Sequence, residues 1–241
     1  MPPFATLYTT TIFLHPRTVP ILAAANLNSL EIALSKDFEY GVTNKTPEYV
    51  SKFPMGKIPA LETPSGFYLA EATAIAKYVS DSGPAREQLL GRTAEEKALV
   101  HMWISLNDTE IFPSISAILG PIFRGSKYIK EVVDEKEEML VRALKRVELH
   151  LQSHKWLVRD DEFSLADLSI AGTLYFPLTM LMDAEYRAEY PRVMEWWERL
   201  VGLPEVRKAF ANPKTGEVSI EYCEKRPPPE GLEHLRLPKK L

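Results

Sequence analysis

The run from Pro54 to Val79, PMGKIPALETPSGFYLAEATAIAKYV, admits few folds. Pro59 has no backbone N–H to give, so it belongs at the first residue or the edge of a strand. The cluster Pro64-Ser65-Gly66 supplies turn chemistry between two short apolar segments, Ile58–Glu62 and Phe67–Leu69, which reads as a hairpin. At Glu71 the spacing switches from two residues to the helical period, with Ala72, Ile75, Ala76 and Val79 on one side. A helix therefore starts abruptly where the hairpin ends. Its first N–H groups have no partner within the helix and its dipole is positive there, so it can hold a carboxylate while Glu71 takes an ammonium. Such a corner suits a zwitterionic ligand.

The rest of the chain excludes several classes of function. A net charge of −4 over 241 residues gives no electrostatic footprint for nucleic acid. No run of about 18 apolar residues is present to span a membrane, and the first residues lack the basic start and long apolar core of a secretory signal. The single cysteine, Cys223, leaves no internal disulfide framework and fits a reducing compartment, so a cytoplasmic location is expected. The five histidines, His15, His101, His150, His154 and His234, never meet cysteines or carboxylates at ligand spacing, and no metal is expected. His150 and His154 are four apart in a charged helical pattern and read as solvated. No Walker loop, nucleophile elbow or dinucleotide fingerprint occurs.

Three regions follow from the patterning. Residues 1–82 mix strands and helices: a strand over Ala5–Thr9, an Ala-rich helix over Val19–Leu27, a strand over Leu30–Leu34, and a short helix capped by Thr46 with Pro47 at its first position. With the hairpin and the Glu71 helix the order is β-α-β-α-β-β-α, in which the first two strands run parallel and the hairpin extends the sheet antiparallel. Asp81-Ser82-Gly83-Pro84 opens a linker to about Arg92. Residues 93–212 are helical nearly throughout, starting with the capping box Thr93–Glu96 and continuing with a helix over Glu135–Trp156 that buries Leu140, Leu144, Val147 and Leu151. Ser164 and Asp167 form a second capping box, with Phe163 and Leu168 as its hydrophobic staple. Loss of Asp167 is expected to cost about 1–2 kcal/mol. Residues 213–241 are rich in proline and charge, too polar for a core of their own.

Gly56-Lys57-Ile58-Pro59-Ala60-Leu61 followed by Glu71-Ala72-Thr73-Ala74-Ile75 resembles the glutathione-site signature of glutathione transferases. The resemblance implies a thioredoxin-like α/β N-terminal domain, an all-α C-terminal bundle, and glutathione as co-substrate. It also implies a cis bond before Pro59, with Ile58 reading the cysteinyl backbone, Lys57 facing the glycyl carboxylate and Glu71 the γ-glutamyl ammonium. The family's serine after the acid is Ala72 here, which keeps the N–H but loses the hydroxyl; Thr73 follows one place on. Thr43-Asn44-Lys45-Thr46-Pro47-Glu48-Tyr49, Trp103-Ile104-Ser105-Leu106-Asn107-Asp108 and Pro191-Arg192-Val193-Met194-Glu195-Trp196-Trp197 narrow the resemblance to the theta-like transferase domain of elongation factor 1 gamma, and add Asn44 to the glutathione-binding set. The same resemblance implies a free-standing fungal-type transferase, a homodimer, and a place in secondary metabolism.

Transferase chemistry requires a thiolate, and a free thiol with a pKa near 8.5 is only a few per cent ionised at pH 7. The family's activating hydroxyl or thiol follows the first strand. Here that segment is Tyr8-Thr9-Thr10-Thr11-Ile12-Phe13-Leu14-His15-Pro16-Arg17, with Thr10 or Thr11 as the candidate and His15 and Arg17 further out. Tyr8 belongs to the strand. A hydrophobic electrophile would lie between the domains against Phe13, Asn107, Ile111, Ser114 and Ile115. Three functions fit this pattern: conjugation of glutathione to that electrophile, glutathione-dependent cis–trans isomerisation of a conjugated double bond, and a non-catalytic binding or assembly module.

Overall fold

The computed structural model describes residues 2–123 and 125–227; the expected tail beyond 227, with His234, lies outside the described residues. Strand β1 (Ala5–Tyr8) is followed by a 3-10 turn over Pro16–Thr18, helix α1 (Val19–Leu27) and strand β2 (Ile32–Leu34). Helix α2 (Pro47–Lys52) begins where the Thr46 hydroxyl accepts the Tyr49 N–H, with Pro47 at the first position as expected. Strands β3 (Ala60–Glu62) and β4 (Tyr68–Ala70) form the hairpin, and α3 (Ala72–Asp81) follows without a spacer. The sheet order is β2-β1-β3-β4, parallel between β1 and β2 and antiparallel elsewhere.

The two faces of this sheet are chemically different. Ala5, Leu7 and Leu61 pack under α1 and α3 and join the main core. On the opposite face Tyr8, Phe38, Tyr49, Phe53 and Ala60 form a separate aromatic cluster beneath α2. Strand alternation alone produces this division, because Leu7 and Tyr8 must point to opposite sides.

The expected linker holds a short helix, α4 (Arg86–Leu90), which buries Leu89 completely. Helix α5 (Ala94–Leu106) starts at Thr93, whose hydroxyl accepts the Glu96 N–H; the Glu96 carboxylate reaches past Thr93 to the Arg92 N–H at 2.6 Å. A π-helical stretch, Asn107–Ile111, joins α5 to α6 (Phe112–Ile118), and α7 (Gly120–Phe123) follows. The long α8 (Lys130–Leu151) starts and ends five residues earlier than its apolar stripe suggested, because Val133 already contributes to the core. Then come α9 (Leu165–Met180), α10 (Ala184–Ala188), α11 (Pro191–Val201) and α12 (Pro204–Arg207).

Helix α9 is the spine of the molecule and is buried along most of its length. It crosses the start of α1 closely: a Cβ on Gly172 would come within 2.8 Å of the Pro16 carbonyl oxygen, so the contact requires glycine. The box at its N-terminus forms in full, with Ser164 and Asp167 exchanging hydrogen bonds. The described part of the tail lies along the bundle. The Cys223 N–H donates to the Leu178 carbonyl at 2.8 Å, and Arg226 pairs with Glu137 at 2.6 Å. No described helix is long and apolar enough to cross a membrane.

Candidate functional site

Strand register assembles the site. Tyr8 lies opposite Ala60, and Ala60 opposite Ala70, so the ends of β1, β3 and β4 fall in one row. The parallel β2 ends beside them, with Leu34 opposite Leu7 and the Ser35 N–H donating to the Leu7 carbonyl at 3.1 Å. One step beyond this row come the Thr9-Thr10-Thr11 turn, Pro59, Glu71 and, from β2, Lys36. Three of these stretches, the threonine turn, the cis-proline loop and the Glu71 corner, thus bring the candidate glutathione-site residues to one edge of the sheet, with Lys36 beside it.

The Ile58–Pro59 bond is cis. The loop before it is held from behind. The Asn44 side-chain NH2 donates to the Gly56 carbonyl at 2.6 Å while its oxygen accepts the Gly41 N–H at 2.5 Å, and the Tyr49 hydroxyl donates to the Lys57 carbonyl at 2.8 Å. Gly56 has a φ of +57°, and a Cβ there would meet the Asn44 carbonyl oxygen at 2.9 Å, so no other residue fits without a shift. The expectation that Asn44 contacts ligand is corrected: it is 6% exposed and its amide is spent on the loop. The Lys57 side chain is left exposed, although its carbonyl takes part in that bonding.

Glu71 sits at φ +67°, a left-handed conformation that a non-glycine residue adopts at a cost of about 1–3 kcal/mol. This turn lets β4 pass directly into α3 and leaves the Glu71 carboxylate exposed, with no ion-pair partner among the described residues. Among the described residues no side chain caps α3, so its first N–H groups remain available to a carboxylate. Ala72 is packed beneath this turn at 7% exposure. The Thr73 hydroxyl does not stand in for the missing serine, because it donates to Asp108 Oδ2 at 2.7 Å. Asp108 also pairs with Arg17, whose guanidinium lies 4.5 Å over the Phe112 ring. The π-helical stretch carries Asp108 to this seam between the domains, a bulge of the sort found at functional positions.

Along the first turn, three hydroxyls have three different environments. Thr9 is 3% exposed and its hydroxyl is buried without a partner. Thr10 is 4% exposed and its oxygen accepts the Ile12 N–H at 3.3 Å, which stabilises the turn itself. Thr11 is half-buried and lines a cavity of about 520 Å3 together with Ile12, Leu34, Lys36, Pro213 and Lys214. Of the two threonines expected at the thiol, only Thr11 faces open space. Tyr8 turns to the other face, where its hydroxyl donates to Glu62 at 2.6 Å; burial, then that hydrogen bond and the charge of Glu62, push its pKa well above the usual phenol value. His15 caps the 3-10 turn by accepting the Arg17 N–H on Nδ1, and burial, aided by the Arg17 charge, lowers its pKa to about 4. It is a neutral structural group.

The expected electrophile wall is corrected. Ile111 and Ser114 are fully buried and Ile115 is 5% exposed, and these residues pack into the bundle; the Ser114 hydroxyl donates to the Glu110 carbonyl. Asn107, 1% exposed, closes the seam against Ala72 and Thr73, where only about 10 Å3 of space remains. Phe13 packs with Phe123 and Phe176 at 5.7 and 6.1 Å. An open cavity lies between the ends of β1 and β2 and the tail. Its tail residues carried a local signal, since Asn212-Pro213-Lys214-Thr215-Gly216 has the composition of a built turn. His150 and His154 stack on each other at 4.4 Å, and among the described residues no cluster of three histidine, cysteine or acidic side chains could hold a metal.

Residues 8–81 match the glutathione S-transferase N-terminal domain, and residues 111–204 match the C-terminal domain. The chain belongs to the glutathione S-transferase family. It is 40% identical over 218 residues to the glutathione S-transferase-like protein LUC7 of a Fusarium species, covering 90% of this chain and 98% of that one. It is 31% identical over 222 residues to elongation factor 1-gamma-A of Xenopus laevis, covering 90% of this chain and half of that longer protein. Among solved structures it is similar to glutathione S-transferase I bound to lactoylglutathione, with 26% identity, a TM-score of 0.72, and coverage of 86% of this chain and 98% of that one. The expected family, its kinship with elongation factor 1 gamma and the two-part architecture are therefore shown. In this transferase-family chain the cis-proline loop, the free start of α3 and Glu71 form the edge at which the signature stands.

Proposed function

We propose that this protein binds glutathione along the sheet edge and presents its thiol at Thr11 for attack on a hydrophobic electrophile, within fungal secondary metabolism. The row Tyr8–Ala60–Ala70 carries the reading, because it gathers every recognition group on one edge. The start of α3 takes the γ-glutamyl carboxylate, Glu71 the ammonium, the Ile58 backbone the cysteinyl unit, and Lys57 the glycyl carboxylate. The thiol then points toward the Thr turn, where the Thr11 hydroxyl has no partner among the described residues and can donate to a thiolate. Similarity to the Fusarium protein supports the fungal setting.

Titration calorimetry with glutathione on the wild type and on Glu71→Ala tests this. A charge-assisted bond at an exposed site contributes about 1.5 kcal/mol, so the variant should bind about tenfold more weakly. Absence of wild-type binding at millimolar glutathione would end the proposal. Turnover with an electrophilic diene then separates two chemistries: a thioether product assigns conjugation, and a sulfur-free isomer with glutathione unconsumed assigns isomerisation.

The non-catalytic module is the second reading. Tyr8 is locked to Glu62 on the wrong face, and no serine, tyrosine or cysteine stands at the turn. It would be upheld by glutathione binding with an unperturbed thiol.

A further inference from the structure

We infer that the cavity beside Thr11 selects an electrophile bearing a carboxylate on its apolar body. This inference rests on the reading of that cavity as the electrophile site. Its six described lining residues divide by chemistry. Thr11 is the hydroxyl-bearing residue; Ile12, Leu34 and Pro213 are apolar; Lys36 and Lys214 are the two cationic residues, and among the described residues no acid lines it. The chain as a whole carries an excess of acid, at −4, so a rim with two cations and no anion runs against its average. Neither lysine has an ion-pair partner among the described residues.

Both lysines stand on fixed backbone. Lys36 follows Ser35, whose N–H is bonded to the β1 carbonyl of Leu7. Lys214 belongs to a closed turn: Asn212 Oδ1 accepts the Lys214 N–H at 2.8 Å and the Thr215 N–H at 3.4 Å. The Asn212 carbonyl accepts the Gly216 N–H and its own N–H donates to Glu217, closing the loop with Gly216 at φ +74°. The tail is tied again beyond this turn, at Cys223 and Arg226. The turn therefore holds Lys214 on a fixed backbone at the same cavity that Lys36 lines after β2. A volume of about 520 Å3 falls in the range that holds a small organic molecule, with polar groups fixing its orientation. A flat apolar acid fits that pattern, its body against Ile12, Leu34 and Pro213 and its carboxylate between the lysines.

The probes are cinnamate and its uncharged isostere cinnamamide, titrated by calorimetry with and without saturating glutathione. The expected result is a preference of about tenfold for cinnamate, since exposed ion pairs are worth a few-fold each. K36Q/K214Q should abolish the preference while glutathione affinity stays within about twofold. Raising salt to 0.5 M should shrink the wild-type preference, as screening demands. Equal affinity for the two probes in the wild type, or a preference that survives the double variant, overturns the inference. Glutathione binding with no cinnamate preference rejects the selectivity alone. A lysine-dependent cinnamate preference in a chain that ignores glutathione upholds the acid site and rejects the proposed transferase function.

Discussion

Replacing Asp167 by alanine removes four hydrogen bonds from a position with no solvent exposure. Oδ1 accepts the Leu157 N–H at 3.0 Å and the Trp196 indole N–H at 2.8 Å; Oδ2 accepts the Ser164 N–H at 2.8 Å and the Ser164 hydroxyl at 2.9 Å. Burial pushes this carboxyl toward a higher pKa, and the four donors act against that push. In Asp167→Ala the hydroxyl can turn elsewhere, but three N–H groups stay buried without acceptors. At about 1–3 kcal/mol each, and with water entering the vacated space to favour the low end, the loss comes to about 4 kcal/mol. That exceeds the 1–2 kcal/mol expected of a helix cap, because Leu157 and Trp196 bring donors from outside the box. At roughly 2–4 °C per kcal/mol for a chain of this size, the thermal midpoint should fall by about 8–16 °C. Far-UV circular dichroism is the suitable probe, since Trp196 fluorescence changes with its own lost partner. Asp167→Asn, which keeps one acceptor, should lie between the two. A midpoint shift below about 3 °C for the alanine variant would refute the reasoning.

Other expectations follow from the groups around the sheet edge. Tyr8→Phe removes a hydrogen bond to a carboxylate that Lys52 also pairs with, and urea titration should show a loss of about 1.5 kcal/mol. Bound glutathione in that variant should keep its thiol pKa; a rise would make Tyr8 the activating group. His15 has a folded pKa near 4, below its ordinary value of 6.5, so the unfolded chain binds the extra proton first. Its contribution is intact above about pH 6.5 and is lost as pH falls toward 4, by up to about 3 kcal/mol. His15→Asn, which retains a capping acceptor, should flatten the stability–pH curve in that window; a curve identical to wild type contradicts the assignment.

The legible parts of the sequence were those governed by local chemistry. Thr46-Pro47, Ser164–Asp167 and the Pro64-Ser65-Gly66 turn each state their structure within a few residues, and the hairpin-to-helix corner follows from them. Lys57, Ile58 and Glu71 could be named as candidates because the signature falls in two short runs of sequence. What failed depended on packing. Ile111, Ser114 and Ile115 share a helix face, but periodicity does not say which neighbour covers it, and here it is the bundle. The π-helical stretch adds to the difficulty: one extra residue per turn rotates everything after it by about 100°, so the face read along α5 does not continue into α6. Asn44 and Thr73 carry the right chemistry for a ligand, but each is already committed, to Gly56 and to Asp108. The cavity joins residues 11 and 214, and a turn of polar residues after the bundle gave no sign of where it would lie.

The central claim is that the Thr11 turn makes a thiolate of bound glutathione. Thiolate absorbance of the saturated complex, followed against pH in wild type and Thr11→Val, measures it directly. The account predicts a bound thiol pKa at least about one unit below the free value near 8.5, worth about 1.4 kcal/mol, with Thr11→Val returning it most of the way. A bound thiol that titrates at the free value in both proteins would contradict the catalytic account and leave a glutathione-binding module.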